Sequence, residues 1–233
     1  MILSLDTATL VSSVALVNDE KLIAELTIQT KKTHSEMLMP HIEKILKLAG
    51  VKKTDLKMIA VSIGPGSFTG LRIGLATAKA LAYALSIPLI GVSTLEALAF
   101  NCPVPGALLS PMLDAQKGNV YQAIYNWEKQ ELTEIMPPRV VSFEQAVSEL
   151  VPQAQPVLIL GEGAVMHGEK LVGLSNPSAA AAHVVMPRAA SVGLLGNRKF
   201  AQGHRDDAMT LEPLYIRRSE AEELWEKRHG ACV

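Results

Sequence analysis

The sequence predicts an α/β fold built from two halves with the same order of elements. Three observations support this: apolar strand patterns alternate with helical patterns, one order of elements occurs twice, and a stretch rich in proline and glycine, residues 101–106, separates the two occurrences. We therefore predict an N-terminal domain over residues 1–103, a C-terminal domain over 104–216 and a charged tail over 217–233.

Apolar periodicity predicts each element of the first half. Alternating or continuous apolar runs predict strands, and apolar residues at helical spacing predict helices. The predicted strands are residues 2–6, 12–17, 22–29, 58–63 and 88–92. The predicted helices are Ser35 to Ala49, which Gly50 ends, Leu71 to Leu85, and 94–100, which Ser93 caps.

The second half repeats this order in its elements, although not in its residue identities. The predicted strands are residues 107–113, 120–125, 131–141 and 157–160. The predicted helices run from the cap Ser142 to Leu150 and from Ala189 to Ala201. The segment from Pro213 to Arg217 is predicted to close the fold.

Composition narrows the classes of function. The chain has 233 residues, is 48% hydrophobic and carries a net charge of −1, which indicates a sizeable core and argues against a dominant phosphate-binding surface, but leaves a local basic patch open. Cys102 and Cys232 lack the spacing of a disulfide scaffold, a zinc ribbon or a thioredoxin motif. The sequence shows no signal peptide or membrane-spanning stretch, so we expect a cytoplasmic protein.

The most unusual segment is the glycine-rich turn from Gly64 to Gly70, between a strand and a helix. Its spacing fits neither the Walker A motif nor the dinucleotide fingerprint. One interpretation is an anion cradle at the helix N-terminus, to which Ser67, Thr69 and Arg72 contribute. The other is a tight connection in which glycine allows positive φ and close packing, and the spacing favours it.

The helix predicted at 71–85 has almost no polar face. Such a helix is covered on two sides, and one side packs on its own sheet. Either another chain or the second half covers the other side. Gly74, Ala78 and Ala82 recur at a spacing of four, and their small side chains would allow a second helix to approach closely.

Asp6 and Asp114 each end the first strand of a half. Two carboxylates that face each other across a cleft could hold magnesium in an ATP-dependent phosphotransferase, which is the alternative function; otherwise each caps the following turn. His34 and His41 lie seven residues apart, about 10 Å along a helix, which is too far for one metal ion. We expect both histidines at the surface or an interface, and no metal site.

Segments in a consistent order along the chain resemble the TsaB (YeaZ) family. They are Asp6-Thr-Ala-Thr9, Ser13-Val-Ala-Leu16, His34-Ser-Glu36, Gly64-Pro-Gly-Ser-Phe-Thr-Gly-Leu-Arg72, Gly91-Val-Ser-Thr94, Leu113-Asp-Ala115 and Pro213-Leu-Tyr-Ile-Arg217. The segment from Gly64 to Arg72 is the most specific. The resemblance implies a short actin/Hsp70-like ATPase fold of two ribonuclease-H-like halves.

The resemblance also implies a role in forming threonylcarbamoyladenosine beside the tRNA anticodon. TsaC makes threonylcarbamoyl-AMP, TsaD transfers the threonylcarbamoyl group, TsaE is a small ATPase, and TsaB is a non-catalytic partner of TsaD. It implies direct binding to TsaD through the first two helices, functional association with TsaE and TsaC, a homodimer when alone, contact with tRNA only through the complex, and no membrane contact. The implied partner-binding residues are Met37, Leu38, His41, Ile42, Ile45, Leu71, Gly74, Leu75, Ala78 and Ala82.

The sequence departs from the catalytic paralogue, whose metal motif His-x-x-x-His it lacks. The resemblance therefore implies a pseudo-enzyme with no catalytic residues and no tightly bound cofactor, with any ATP or ADP held only at the partner interface. A vestigial nucleotide or anion site is predicted at Asp6, Thr7, Ser67, Thr69, Arg72 and Asp114.

Overall fold

The computed structural model describes residues 1–19, 21–29, 33–129 and 131–217. The predicted charged tail lies outside these residues, apart from Arg217. The strands are β1 Ile2–Asp6, β2 Val11–Asn18, β3 Lys21–Gln29, β4 Met58–Gly64, β5 Leu89–Ser93, β6 Leu108–Asp114, β7 Asn119–Glu128, β8 Glu131–Ser142, β9 Val157–Leu160 and β10 Ser178–Ala179. The α-helices are α1 His34–Ala49, α2 Phe68–Leu85, α3 Thr94–Phe100, α4 Phe143–Leu150, α5 Glu162–Met166 and α6 Ala189–Ala201.

The described strands form two five-stranded sheets with the same topology. The first has the order β3-β2-β1-β4-β5, and the second has the equivalent order β8-β7-β6-β9-β10. In each sheet the central strand, β1 or β6, pairs antiparallel with the strand that follows it and parallel with the fourth strand of its half. This repetition confirms the predicted α/β fold with two ribonuclease-H-like halves.

The helices form three layers around the two sheets. The first sheet packs α1 and α2 on its outer face, and the second packs α4 and α5 on its outer face. Between the sheets, α3 packs against the second sheet and α6 against the first. The final helix of each half therefore lies on the sheet of the other half, which helical periodicity could not indicate.

Side chains of the first sheet cap the N-terminus of α6. The Ser13 hydroxyl accepts a hydrogen bond from the Ala189 amide at 2.9 Å, and the Glu25 carboxylate accepts one from the Ala190 amide at 3.0 Å. Arg188 pairs with the same carboxylate. Because the first turn of a helix has amide groups without helical partners, these contacts fix α6 to the first sheet.

The chain after α6 returns to the first half. Asp206 accepts a hydrogen bond from the Gly91 amide at 2.8 Å beside β5, and the Leu214 amide donates to the Ile63 carbonyl at 2.7 Å beside β4. Leu211 packs against the core beneath α2. This C-terminal segment, residues 206–217, confirms that the predicted stretch from Pro213 to Arg217 closes the fold.

The start of α2 differs from the prediction. Ser67 is the N-cap, and its hydroxyl accepts a hydrogen bond from the Gly70 amide at 3.3 Å. The helix therefore begins at Phe68, three residues before the predicted Leu71, and the last residues of the glycine-rich turn form its first turn. Among the described helices, none is long and apolar enough to cross a membrane.

Candidate functional site

The glycine-rich turn packs directly on the backbone that follows β1. A Cβ atom on Gly66 would lie 2.3 Å from the Ala8 carbonyl oxygen, and one on Gly70 would lie 2.0 Å from the Thr7 carbonyl oxygen. Gly64 also has a φ of +117°, a conformation that side chains rarely adopt. The structure thus supports the interpretation of this turn as a tight connection.

Thr7 packs against the buried face of the first two turns of α2. Its hydroxyl donates a hydrogen bond to the Gly70 carbonyl at 2.8 Å. A Cβ atom on Gly74 would lie 2.2 Å from the same hydroxyl oxygen. Gly74 therefore makes room for Thr7 within the chain, and does not present a small surface to a partner helix.

The turn already uses donors that a phosphate cradle would need. The Ser67 amide donates to the Ala8 carbonyl at 2.7 Å, and the Gly70 amide donates to the Ser67 hydroxyl. A phosphate group bound at a helix N-terminus relies on such amides. The residues that the chain offers beside β1 consequently do not fit the phosphate groups of the nucleotide that an ATPase fold implies.

Asp6 lies behind this turn and is fully buried. One carboxylate oxygen accepts a hydrogen bond from the Ala8 amide at 3.0 Å, and the other has no partner among the described residues. Burial raises the pKa of Asp6 to about 6, although the Ala8 amide and the nearby Ser62 hydroxyl both act to lower it. Asp6 therefore caps its turn from inside the protein.

The raised pKa of Asp6 makes stability depend on pH. Between its ordinary value of 3.8 and about 6, the folded state binds more protons than the unfolded state, so the free energy of unfolding falls as pH rises through this window. We expect Asp6→Asn to be more stable than the parent at about pH 8, by up to about 3 kcal/mol. Urea denaturation of both proteins measures this. If the difference in the free energy of unfolding between Asp6→Asn and the parent does not shrink below about pH 4, the raised pKa of Asp6 is contradicted.

Asp114 occupies the equivalent position in the second half but lies in a different environment. Its carboxylate accepts a hydrogen bond from the Gln116 amide at 2.8 Å, two residues on, as Asp6 does with Ala8. Asp114 lines a cleft of about 940 Å³ between the halves, and Asp6 does not. The expectation that these two carboxylates face each other across a cleft is therefore wrong, and each caps a turn.

The cleft contains four of the six residues of the predicted anion site. Ser67, Thr69 and Arg72 line it together with Asp114, whereas Asp6 and Thr7 are buried outside it. The reason is that the backbone of the glycine-rich turn lies between Thr7 and the cleft.

The cleft also contains aromatic and basic residues of the C-terminal segment and of α2 that were not predicted as site residues, namely Phe68, Tyr215 and Arg217. Arg72 donates a hydrogen bond to the Tyr215 hydroxyl at 2.9 Å and stacks over the Phe68 ring at 3.8 Å. Arg217 donates to the Ala115 carbonyl and thereby joins the C-terminal segment to the second half. The signal for these residues was present, since Tyr215 and Arg217 belong to the motif quoted above, but their spatial neighbours are more than 60 residues away.

Glu162, at the start of α5, also lines the cleft, although it was not among the predicted site residues. Burial raises the pKa of its carboxyl group, and the negative charge of Asp114 raises it further. Within the described residues no group of three His, Cys, Asp or Glu side chains could hold a metal ion.

The predicted partner-binding residues require a correction. All of them except Met37 are buried inside the chain: Leu38, His41, Ile42, Ile45, Leu71, Gly74, Leu75, Ala78 and Ala82. Most of them form the core between the first sheet and the two outer helices. They do not form an exposed surface for a partner, because the first sheet covers most of them and Thr7 covers Gly74.

The prediction that His41 lies at the surface or an interface was wrong, because this side chain is buried. It is 3% exposed, and its Nδ1 lies 3.2 Å from the Ser12 hydroxyl. Burial lowers the pKa of its imidazole, and the positive charge of Lys44 adds to this effect. His34 is partly buried, with its Nε2 at 2.7 Å from the Thr9 carbonyl oxygen.

The second half does not cover the outward face of α2, because that half packs on the opposite face of the first sheet. Ala76, Ala80 and Ala84 are exposed at a spacing of four, beside Tyr83, which is 78% exposed. The neighbouring α1 contacts α2 and exposes apolar residues too. We define the docking face as the exposed residues Met39, Ala76, Ala80, Tyr83 and Ala84.

Comparison with known proteins adds to this geometry. The chain is 35% identical to the tRNA threonylcarbamoyladenosine biosynthesis protein TsaB of Bacillus subtilis, over 96% of this chain and 97% of that protein. It is 31% identical to the protein of the same name from Escherichia coli, over 98% of each. The chain belongs to the TsaB family. Residues 21–225 also match the family model described as TsaD: tRNA N6-adenosine threonylcarbamoyltransferase.

Solved structures agree with the TsaB assignment. A crystal structure from Pseudomonas aeruginosa, described as an uncharacterized protein with similarity to peptidase YEAZ, superposes with a TM-score of 0.79 at 27% identity, over 93% of this chain and 99% of that one. The ethanolamine utilization protein EutJ of Carboxydothermus hydrogenoformans shares the fold, with a TM-score of 0.56 at 12% identity, over 83% of this chain and 89% of that one. With the repeated sheets, these likenesses confirm the expected short actin/Hsp70-like ATPase fold.

Proposed function

We propose that this chain acts in the formation of threonylcarbamoyladenosine in tRNA as a non-catalytic partner of a TsaD-type transferase. Its membership of the TsaB family supports the assignment to this pathway, because relatives that match nearly the whole chain are named for threonylcarbamoyladenosine biosynthesis. The docking face is the observation that carries the partner role. Its alanines allow close approach of another helix, and Met39 and Tyr83, 44% and 78% exposed, offer apolar area for burial.

The proposed mechanism is a shift in the conformational population of the transferase. Docking favours the catalytically competent arrangement of the partner only if the docking face binds that arrangement more tightly than the others. The chain itself supplies no group to the reaction. The buried Asp6 carboxylate and the backbone amides of Ser67 and Gly70, which are bonded within the chain, support this assignment.

The remaining associations follow from the same proposal. The chain binds no cofactor tightly by itself, and ATP or ADP binds only where the transferase completes a site. TsaC and TsaE act with it functionally in the cytoplasm. Without the transferase, the docking face pairs with that of a second copy, since exposed apolar residues favour burial.

A reconstitution that omits one component at a time tests this function. Unmodified tRNA, threonine, bicarbonate and ATP are combined with TsaC, TsaD and TsaE. Threonylcarbamoyladenosine is then quantified in three reactions: with the chain, without it, and with the variant Asp6→Asn/Asp114→Asn in its place. We expect product to depend on the chain and to be unchanged in the double variant. Product without the chain would refute the proposal. If the double variant fails to support product formation, the ATP-dependent phosphotransferase is favoured instead.

A further inference from the structure

Five exposed lysines occur together at one end of the first half. They lie in the last turns of α1 and in the connection that leads to β4, and we call them the lysine edge. Its members are Lys44, Lys47, Lys52, Lys53 and Lys57. In a chain with a net charge of −1, this is a strong local excess of positive charge.

Backbone contacts hold this segment against the amino ends of the central strands. The Val51 amide donates to the Leu46 carbonyl at 3.0 Å, which ends α1, and the Lys57 amide donates to the Met1 carbonyl at 2.8 Å beside β1. The cleft lies at the carboxyl ends of β1 and β4, so the lysine edge is at the opposite end of the sheet. A strand of five residues separates them by roughly 17 Å.

Carboxylates offset only part of the positive charge of this edge within the described residues. None of the five lysines forms an ion pair there. Two carboxylates, Glu43 and Asp55, belong to the same segment, and Asp55 accepts a hydrogen bond from the Lys52 amide at 2.9 Å. Lys47 also complements the carbonyl groups at the end of α1, but that role needs one cation rather than five.

We propose that the lysine edge binds the phosphate backbone of tRNA directly. Exposed lysines act as point charges that contact phosphates without reading sequence, which suits a protein that serves many tRNAs. The edge lies at the end of the sheet towards which α1 and α2, the two helices of the docking face, both run from the cleft. These lysines are therefore on the same side of the first sheet as the docking face, where an RNA held by a docked partner could reach them. This inference rests on the proposed function, which makes tRNA the substrate.

Binding of a fluorescently labelled, unmodified tRNA transcript to the chain alone tests this inference. Fluorescence anisotropy is measured over a series of salt concentrations for the parent, Lys53→Gln/Lys57→Gln, and the control Lys129→Gln/Lys170→Gln, which removes two exposed lysines from the second half. We expect the first variant to bind about tenfold more weakly at about 0.1 M salt, with a log–log salt slope shallower by about 1.4 to 1.8. The control should bind as the parent does.

Three outcomes would overturn the inference. They are no tRNA binding by the parent at low salt, equal weakening in both double variants, and stronger binding to phosphatidylserine vesicles than to tRNA, which would indicate a membrane surface. Because the transferase is absent, these outcomes leave the proposed function intact. The proposed function fails separately, if reconstituted product formation does not require the chain.

Discussion

Gly70→Ala is expected to prevent stable folding, with a loss of at least about 4 kcal/mol in the free energy of unfolding. The added Cβ would lie 2.0 Å from the Thr7 carbonyl oxygen, a backbone atom that cannot move without displacing the end of β1. The backbone at Gly70 is helical, so the loss is steric rather than conformational. Circular dichroism and urea denaturation of the purified variant measure this loss.

Gly74→Ala provides the matched control for this steric explanation. Its Cβ would lie 2.2 Å from the Thr7 hydroxyl oxygen, a side-chain atom that Thr7→Ala removes. We expect Gly74→Ala to cost at least about 1 kcal/mol less in the Thr7→Ala background than in the parent. Gly70→Ala should gain no such relief. Equal costs of Gly74→Ala in both backgrounds would contradict the packing described for the turn.

Ala76→Glu/Ala80→Glu is expected to weaken binding of the transferase at least a hundredfold without unfolding the chain. Both positions are exposed in the isolated chain, and glutamate is a good helix former, so the helix should persist. In the complex, two carboxylates would be buried without partners, which costs several kcal/mol. Isothermal titration calorimetry measures the affinity, and thermal melting verifies the fold.

Two variants separate docking from folding. Ala201→Glu places one such charge on an exposed position of α6, away from the docking face, and should bind normally. Leu75→Glu places it in the core beneath α2, where Leu75 is 4% exposed, and should unfold the chain. Normal transferase binding by the double variant would exclude the docking face as the contact.

Local signals in the sequence predicted most elements of the fold. Ser93 and Ser142 cap their helices as predicted, because a cap depends on residues within one turn. The buried strands were identifiable because their apolar runs are short and bounded by turns. The placement of α3 and α6 on the sheets of the opposite halves was not predictable, since it depends on contacts such as that of Ser13 with Ala189.

The orientation of α2 was the main error in the predicted site. Alanine at positions 76, 78, 80, 82 and 84 leaves no difference in polarity between the two faces, so periodicity could not tell which face is buried. The contact of Gly74 with Thr7 decides this, across 67 residues of sequence. The burial of His41 also depends on a distant residue, Ser12, and had no local signal.

The most direct test of the docking account is reconstituted product formation with Ala76→Glu/Ala80→Glu. This variant replaces the chain at equal concentration, and threonylcarbamoyladenosine is quantified against the parent and against a reaction without the chain. If the chain acts through its docking face, product falls to the level found without the chain, while Ala201→Glu sustains the parent level. Parent-level product with the folded double variant would contradict the claim that the chain acts through its docking face.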